Sequence, residues 1–179
     1  MDKTNTHIEI MAPVGNREAL IAAIEAGATS VYFGIEHLNM RARSSANFTT
    51  ADMDDIVATC REAGVRTYLT LNTVMYPEDL PLMREIVEHA HQVGVDAIIA
   101  SDIAVMQYAA QIGQEVHLST QLNIANTEAL RFYAQFADVV VLARELNMEQ
   151  VASIHRDIEE QGIVGPKGEL LRIEMFCHG

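Results

Sequence analysis

Glu174 and His178 are the residues whose type and spacing point most directly to chemistry. In the closing stretch of the chain, Ile173, Met175 and Cys177 alternate with Glu174, Phe176 and His178. Alternation of this kind is the period-2 pattern of a pleated strand, so the spacing puts a carboxylate and an imidazole on one face, two repeats apart. Such groups on a buried strand are costly unless they are hydrogen-bonded or used, which makes both of them catalytic candidates. A carboxylate aimed into a protein interior needs a cation, and Arg144, on the strand before, is the nearest one in the sequence. That pair either orders the strand or positions His178 or a substrate.

The basic residues are unevenly chosen. The chain has ten Arg and two Lys within a formal net charge of -13, a balance that does not suit general binding of polyanions. Lys3 lies in the polar start and Lys167 in the loop Gly165-Pro166-Lys167-Gly168, so neither is expected to reach a strand end, and a Schiff-base lysine is not expected. Arg41, Arg43 and Arg144 are different, because their planar forks suit a carboxylate or a phosphate. The two cysteines, Cys60 and Cys177, supply neither a disulfide framework nor a metal-ligand cluster, and no metal-binding residue is assigned. Cys60 reads as core, and Cys177 as packed against a helix on the face opposite Glu174. No His-Glu-x-x-His or Gly-x-Ser-x-Gly occurs, so zinc-peptidase and α/β-hydrolase chemistry lack their motifs.

These residues must be positioned by alternating strands and helices. Strands are read near Glu9–Ala12, Ser30–Gly34, Arg66–Leu71, Ala97–Ala100, Val116–Ser119, Asp138–Leu142 and Arg172–Cys177. Between them the apolar residues follow a helical period: Met53, Ile56, Val57 and Cys60, then Met83, Ile86, Val87 and Ala90, then Val151, Ile154 and Ile158. Asn16, Asp102, Asn126 and Asn147 stand where helix N-caps are needed, and Asn147 with Gln150 fits a capping box. Gly27, Gly64, Gly94 and Gly113 stand at helix ends.

Strand starts recur roughly every 20 to 35 residues, the rhythm of βα units with a parallel sheet. The fold expected is α/β: a TIM-barrel-like (β/α) barrel, incomplete, with about seven parallel strands and its last strand missing. An open doubly wound sheet is the alternative, but the first strand has no Gly-x-Gly-x-x-Gly after it. Residues 1–7 are expected to be a polar tail and 8–179 the barrel. With no apolar run of membrane-spanning length and no signal peptide, a cytoplasmic protein without a membrane partner is expected.

A barrel builds its site at the C-terminal strand ends, and here those ends are polar. Asn72 follows the third strand, Ser119 and Gln121 the fifth, Arg144-Glu145 the sixth, and the loop with Asn39, Arg41 and Arg43 the second. Singly, several have plain structural uses: Asp102 as a helix cap, His117 as a core histidine, Asn72 as a turn residue. Together, Arg41, Arg43, Asn72, Ser119, Gln121, Arg144 and Glu145 describe a mouth for a polar, anionic ligand.

Glu174-x-Phe176-x-His178-Gly179 resembles the start of the signature of the peptidase U32 family. Further landmarks follow in the family's order: Ala12-Pro13-x-Gly15, Asn39-Met40-Arg41-Ala42-Arg43, Leu118-Ser119-Thr120-Gln121-x-Asn123 and Arg144-Glu145-Leu146. The family is named for collagenase-like peptidases, whereas several of its branches hydroxylate bases of tRNA or rRNA. The arginine loop and Arg144-Glu145-Leu146 are most similar to those RNA-hydroxylating branches. The resemblance implies prephenate as the anionic small molecule, tRNA or rRNA as partner of the full-length protein, and an iron–sulfur cluster on cysteines beyond Gly179. Cys177 occupies a spacer position of the motif and Cys60 matches none of its cysteines. The expected function is therefore the barrel part of an RNA-hydroxylation protein, inactive by itself. A collagenase-like peptidase, or a scaffold that self-associates through open barrel edges, is the alternative.

Overall fold

The computed structural model describes residues 8–35, 38–39 and 48–177. Strands and helices alternate from end to end: β1 (Met11–Pro13), α1 (Arg17–Glu25), β2 (Ser30–Gly34), α2 (Met53–Glu62), β3 (Arg66–Leu71), α3 (Leu80–Val93), β4 (Ala97–Ala100), α4 (Ile103–Ile112), β5 (Val116–Leu118), α5 (Thr127–Tyr133), β6 (Val139–Val141), α6 (Met148–Gln161) and β7 (Arg172–Glu174). All strands are parallel and pair in chain order in one seven-stranded sheet. The sheet is curled, because side chains from strands that are not neighbours meet inside it. Tyr68 of β3 packs on His117 of β5, with ring centroids 4.7 Å apart, and its hydroxyl donates to Glu9, just before β1, at 2.5 Å. The curled, TIM-barrel-like sheet expected from the rhythm of the sequence is the fold.

Local chemistry explains where the helices start and stop. The side chains of Asn16, Asp102, Asn126 and Asn147 each accept a backbone N–H of the first helical turn, and Gln150 closes the capping box with Asn147. Gly94, Gly113 and Gly162 end α3, α4 and α6 in the left-handed region, where a side chain would be strained. The apolar faces read from the sequence are the buried ones: Met53, Ile56, Val57 and Cys60 are all at most 3% exposed.

The main core lies between the sheet and its helices, and a smaller one fills the lumen with Tyr68, Ala97 and Ile99 against Met11 and Tyr32. Inward and outward residues therefore alternate on every strand, as a curled parallel sheet requires. Three strands, β5, β6 and β7, stop earlier than expected. The last one ends at Glu174 rather than Cys177, because β6, its paired neighbour, ends at Val141.

Candidate functional site

The strand register lines up the rim. Leu71, Ala100, Leu118, Val140 and Ile173 are successive partners across β3 to β7, so the next row is Asn72, Ser101, Ser119, Val141 and Glu174. Asn72 and Ser119 meet there. The Asn72 amide donates to Ser119 Oγ at 3.3 Å and to Gln121 Oε1 at 3.2 Å, and the Ser119 hydroxyl donates to the same Gln121 oxygen. Ser119 is 2% exposed while Gln121 is exposed, so the cluster runs from the lumen to the surface. Asn123 holds the turn below Gln121 at φ 51°, the one non-glycine positive φ among the described residues. Asparagine tolerates that region better than most side chains. Thr120 Oγ1 donates to Leu142 O at 3.4 Å and Ala143 N to Ile124 O at 2.8 Å, which ties this turn to the end of β6.

Arg144 and Glu145 occupy the turn that follows. They line a cleft of about 500 Å³ with Leu146, Glu174, Phe176 and Cys177. The Arg144 guanidinium lies over the Phe176 ring, 5.7 Å from its centroid, a cation–π contact. The ion pair expected between Arg144 and Glu174 is not formed. With Arg144 turned to the ring, no cation among the described residues lies within ion-pair distance of Glu174. Burial pushes the Glu174 carboxyl up to about 7, and the negative charge of Glu9 adds to the effect. A carboxyl poised there can give or take a proton near neutral pH.

Below the rim is a charged floor that the sequence reading passed over. Glu115 Oε1 lies 3.4 Å from His117 Nε2 and 3.7 Å from Arg172, and its other oxygen accepts from Lys167 at 2.5 Å. The His117 bond is the chief cause that holds the Glu115 carboxyl down at about 2, against the opposing effect of burial, and Lys167 helps. Arg66 reaches Glu9 at 3.3 Å, and burial followed by its bond to Glu9 raises the Tyr68 hydroxyl. Lys167 thus does reach a strand end, contrary to expectation, but the N-terminal end of β5 rather than the mouth. The signal was present in the sequence as Arg66, Glu115 and Arg172, a charged residue at or just before the start of alternate strands.

The structure thus brings Asn72, Ser119 and Gln121 together, and separately Arg144, Glu145 and Glu174. Arg41, Arg43 and His178 lie outside the described residues, which begin again at Phe48 and stop at Cys177. Asn39, at the foot of the arginine loop, is 2% exposed and donates to Ile35 O at 3.2 Å. A Cβ on Gly34 would sit 2.4 Å from the Asn39 side chain, so that position admits glycine alone. Asp102 is the cap expected, accepting from Ala104 N at 2.8 Å, and it also takes Met75 N at 3.0 Å. His117 is buried, but it is not the satisfied core histidine expected, since its Nδ1 has no partner. Cys177 is exposed in the cleft rather than packed on a helix, because the strand that would have turned it inward has ended.

An iron–sulfur cluster does not fit the residues in hand. Cys60 is buried in α2, where burial raises its thiol to about 11, and Cys177 is far along the chain in the cleft. Among the described residues no three His, Cys, Asp or Glu side chains are grouped to hold a metal ion. No helix among them is long and apolar enough to cross a membrane.

Comparison with known proteins gives the family of the chain. The chain is 65% identical over 96% of its length to a protein named collagenase from Porphyromonas gingivalis, strain W83, of which it spans 41%. It is 30% identical over its whole length to the 23S rRNA 5-hydroxycytidine C2501 synthase of Escherichia coli, of which it spans 25%. The chain thus spans less than half of each of these relatives. Among solved structures, a U32 peptidase superposes with a TM-score of 0.71 at 17% identity, over 87% of this chain and 67% of that one, a likeness of fold. Residues 15–179 match the family described as Peptidase family U32, and the chain belongs to that family.

Proposed function

We propose that this chain is the barrel portion of a protein that hydroxylates a base of transfer or ribosomal RNA, and that its mouth takes an anionic small molecule such as prephenate. The observation that carries this reading is the cleft in which Arg144 lies over Phe176, beside the Glu174 carboxyl. A cyclic carboxylate would meet a guanidinium fork for its charge and an aromatic face for its ring. The amide–hydroxyl cluster of Asn72, Ser119 and Gln121 offers donors and acceptors for hydroxyl or carbonyl oxygens. Arg41 and Arg43 are proposed as further anion ligands, and His178 as a partner of Glu174. The RNA-modifying relative supports the reaction class.

A peptidase remains the second reading, favoured by the identity to the Porphyromonas collagenase. Against a serine mechanism, Ser119 Oγ is held by two side-chain amides and not by an imidazole or carboxylate base. Mass spectrometry of RNA digests from a strain lacking the full-length gene tests the proposal. Loss of one hydroxylated base is expected, restored by the wild-type gene but not by Arg144→Glu. An unchanged RNA profile, together with cleavage of collagen by the purified full-length protein, would replace the first reading by the second.

A further inference from the structure

Among the described residues, two buried side-chain polar atoms lack a hydrogen-bond partner: Ser30 Oγ and His117 Nδ1. The histidine is the informative one, because the sheet register says what it faces. Tyr68 meets His117 two strands on, yet the row partner of Tyr68 is Ala97 and the next row position on β5 is Glu115. Contact across the lumen therefore runs to the residue two places beyond the row, the stagger of a barrel sheet. The same offset holds between β5 and β7. Arg172 shares a row with His117 through Val139, and it contacts Glu115, two places before that row on β5, at 3.7 Å. One repeat higher on the same two strands, the offset pairs His117 with Glu174. The odd strands thus supply successive lumen levels, a charged one of Glu9, Arg66, Glu115 and Arg172, and above it Met11, Tyr68, His117 and Glu174.

We propose that His117 Nδ1 and the Glu174 carboxyl face one polar subsite at the inner end of the cleft that holds a single hydroxyl oxygen, supplied by water in the free protein. His117 Nε2–H is committed to Glu115, so in the neutral ring Nδ1 is left as an acceptor. The carboxyl donates from the other side, and the oxygen between them can pass one proton. Its own O–H proton goes to Nδ1 as the Glu174 proton replaces it, leaving imidazolium and carboxylate with no net change of charge. His117 is then a proton-handling residue of the site, a role its place in the core concealed. The groups that bear on it are Tyr68 from β3, Glu115 from its own strand, Glu174 and Arg172 from β7, Glu9 before β1 and Lys167 from the loop before β7. The arrangement holds whichever reaction the family member performs.

Long-range proton–nitrogen NMR of the histidine-labelled 179-residue chain tests it without RNA or prephenate. The neutral ring of His117 is expected to carry its proton on Nε2, with Nδ1 hydrogen-bonded. Glu174→Gln is expected to move the Nδ1 resonance of the neutral His117 ring, because the group across the subsite has changed. The exposed control Glu149→Gln should leave it in place. A proton on Nδ1 of the neutral wild-type ring, or an Nδ1 resonance that is the same in Glu174→Gln as in the wild type, would overturn the proposal, and the first outcome needs no variant to fold.

Discussion

Glu174 and Glu115 are carboxyls on the same lumen wall, held at opposite ends of the usual range, and stability should record both. Glu174 carries its proton in the folded chain up to about pH 7, whereas the unfolded chain releases it near 4.5. Its contribution is therefore complete below 4.5 and is lost as pH rises through 7. Glu115 runs the other way: the folded carboxylate persists down to about 2, so its contribution is present above 4.5 and lost as pH falls toward 2. Urea unfolding followed by circular dichroism should show Glu174→Gln removing the decline between pH 4.5 and 7. The gain at pH 8 should be no more than about 3 kcal/mol. Glu115→Gln should lose stability at pH 7 and nothing at pH 2. A wild-type decline that persists in Glu174→Gln would assign it to other groups. At this scale the sequence marked Glu174 but not its partner. Arg144 is adjacent by strand order, yet the pairing failed because a turn residue past the end of β6 can swing over Phe176.

The elements were the most legible level. Helical faces such as Met83, Ile86, Val87 and Ala90 are buried as their period requires, and each capping asparagine accepts the N–H that its position implies. Asn147→Ala removes the side-chain half of the box that starts α6, leaving the backbone N–H of residue 147 to donate to Gln150, and should cost about 1 kcal/mol in urea unfolding, with Asn147→Ser recovering most of it. An unchanged midpoint for the alanine variant would mean that α6 is held by Val151, Ile154 and Ile158 packing alone. The ends of strands were read less well, since β5, β6 and β7 stop earlier than their alternation suggests. Alternation reports which face a residue takes, whereas a strand ends where its neighbour stops offering hydrogen bonds.

Across the whole molecule, β1 and β7 are the two edges of the sheet, and apolar side chains crowd them: Ile8 is 79% exposed, Ile10 60% and Phe176 50%. Unpaired strand edges with apolar flanks favour pairing with another chain. The 179-residue chain is expected to show concentration-dependent association in sedimentation velocity, reduced by Ile10→Lys at the β1 edge. A single species of monomer mass at every concentration would exclude that use of the edges. The acidic charge read from composition also acquires a distribution. The cations Arg66, Lys167 and Arg172 serve acidic partners at the floor, while Arg144 is held at the mouth.

The βα rhythm, the caps and the polar strand ends were determined by the sequence alone, because each depends on neighbours within a few residues or on a two- or 3.6-residue period. Which residues of different strands meet was decided only by the tertiary structure. The stagger of a curled sheet sets Tyr68 against His117 and Glu115 against Arg172, two places off the row in each case. That offset depends on the tilt of the strands, which no local pattern encodes. It turns a core histidine and a strand carboxylate into facing walls of one site.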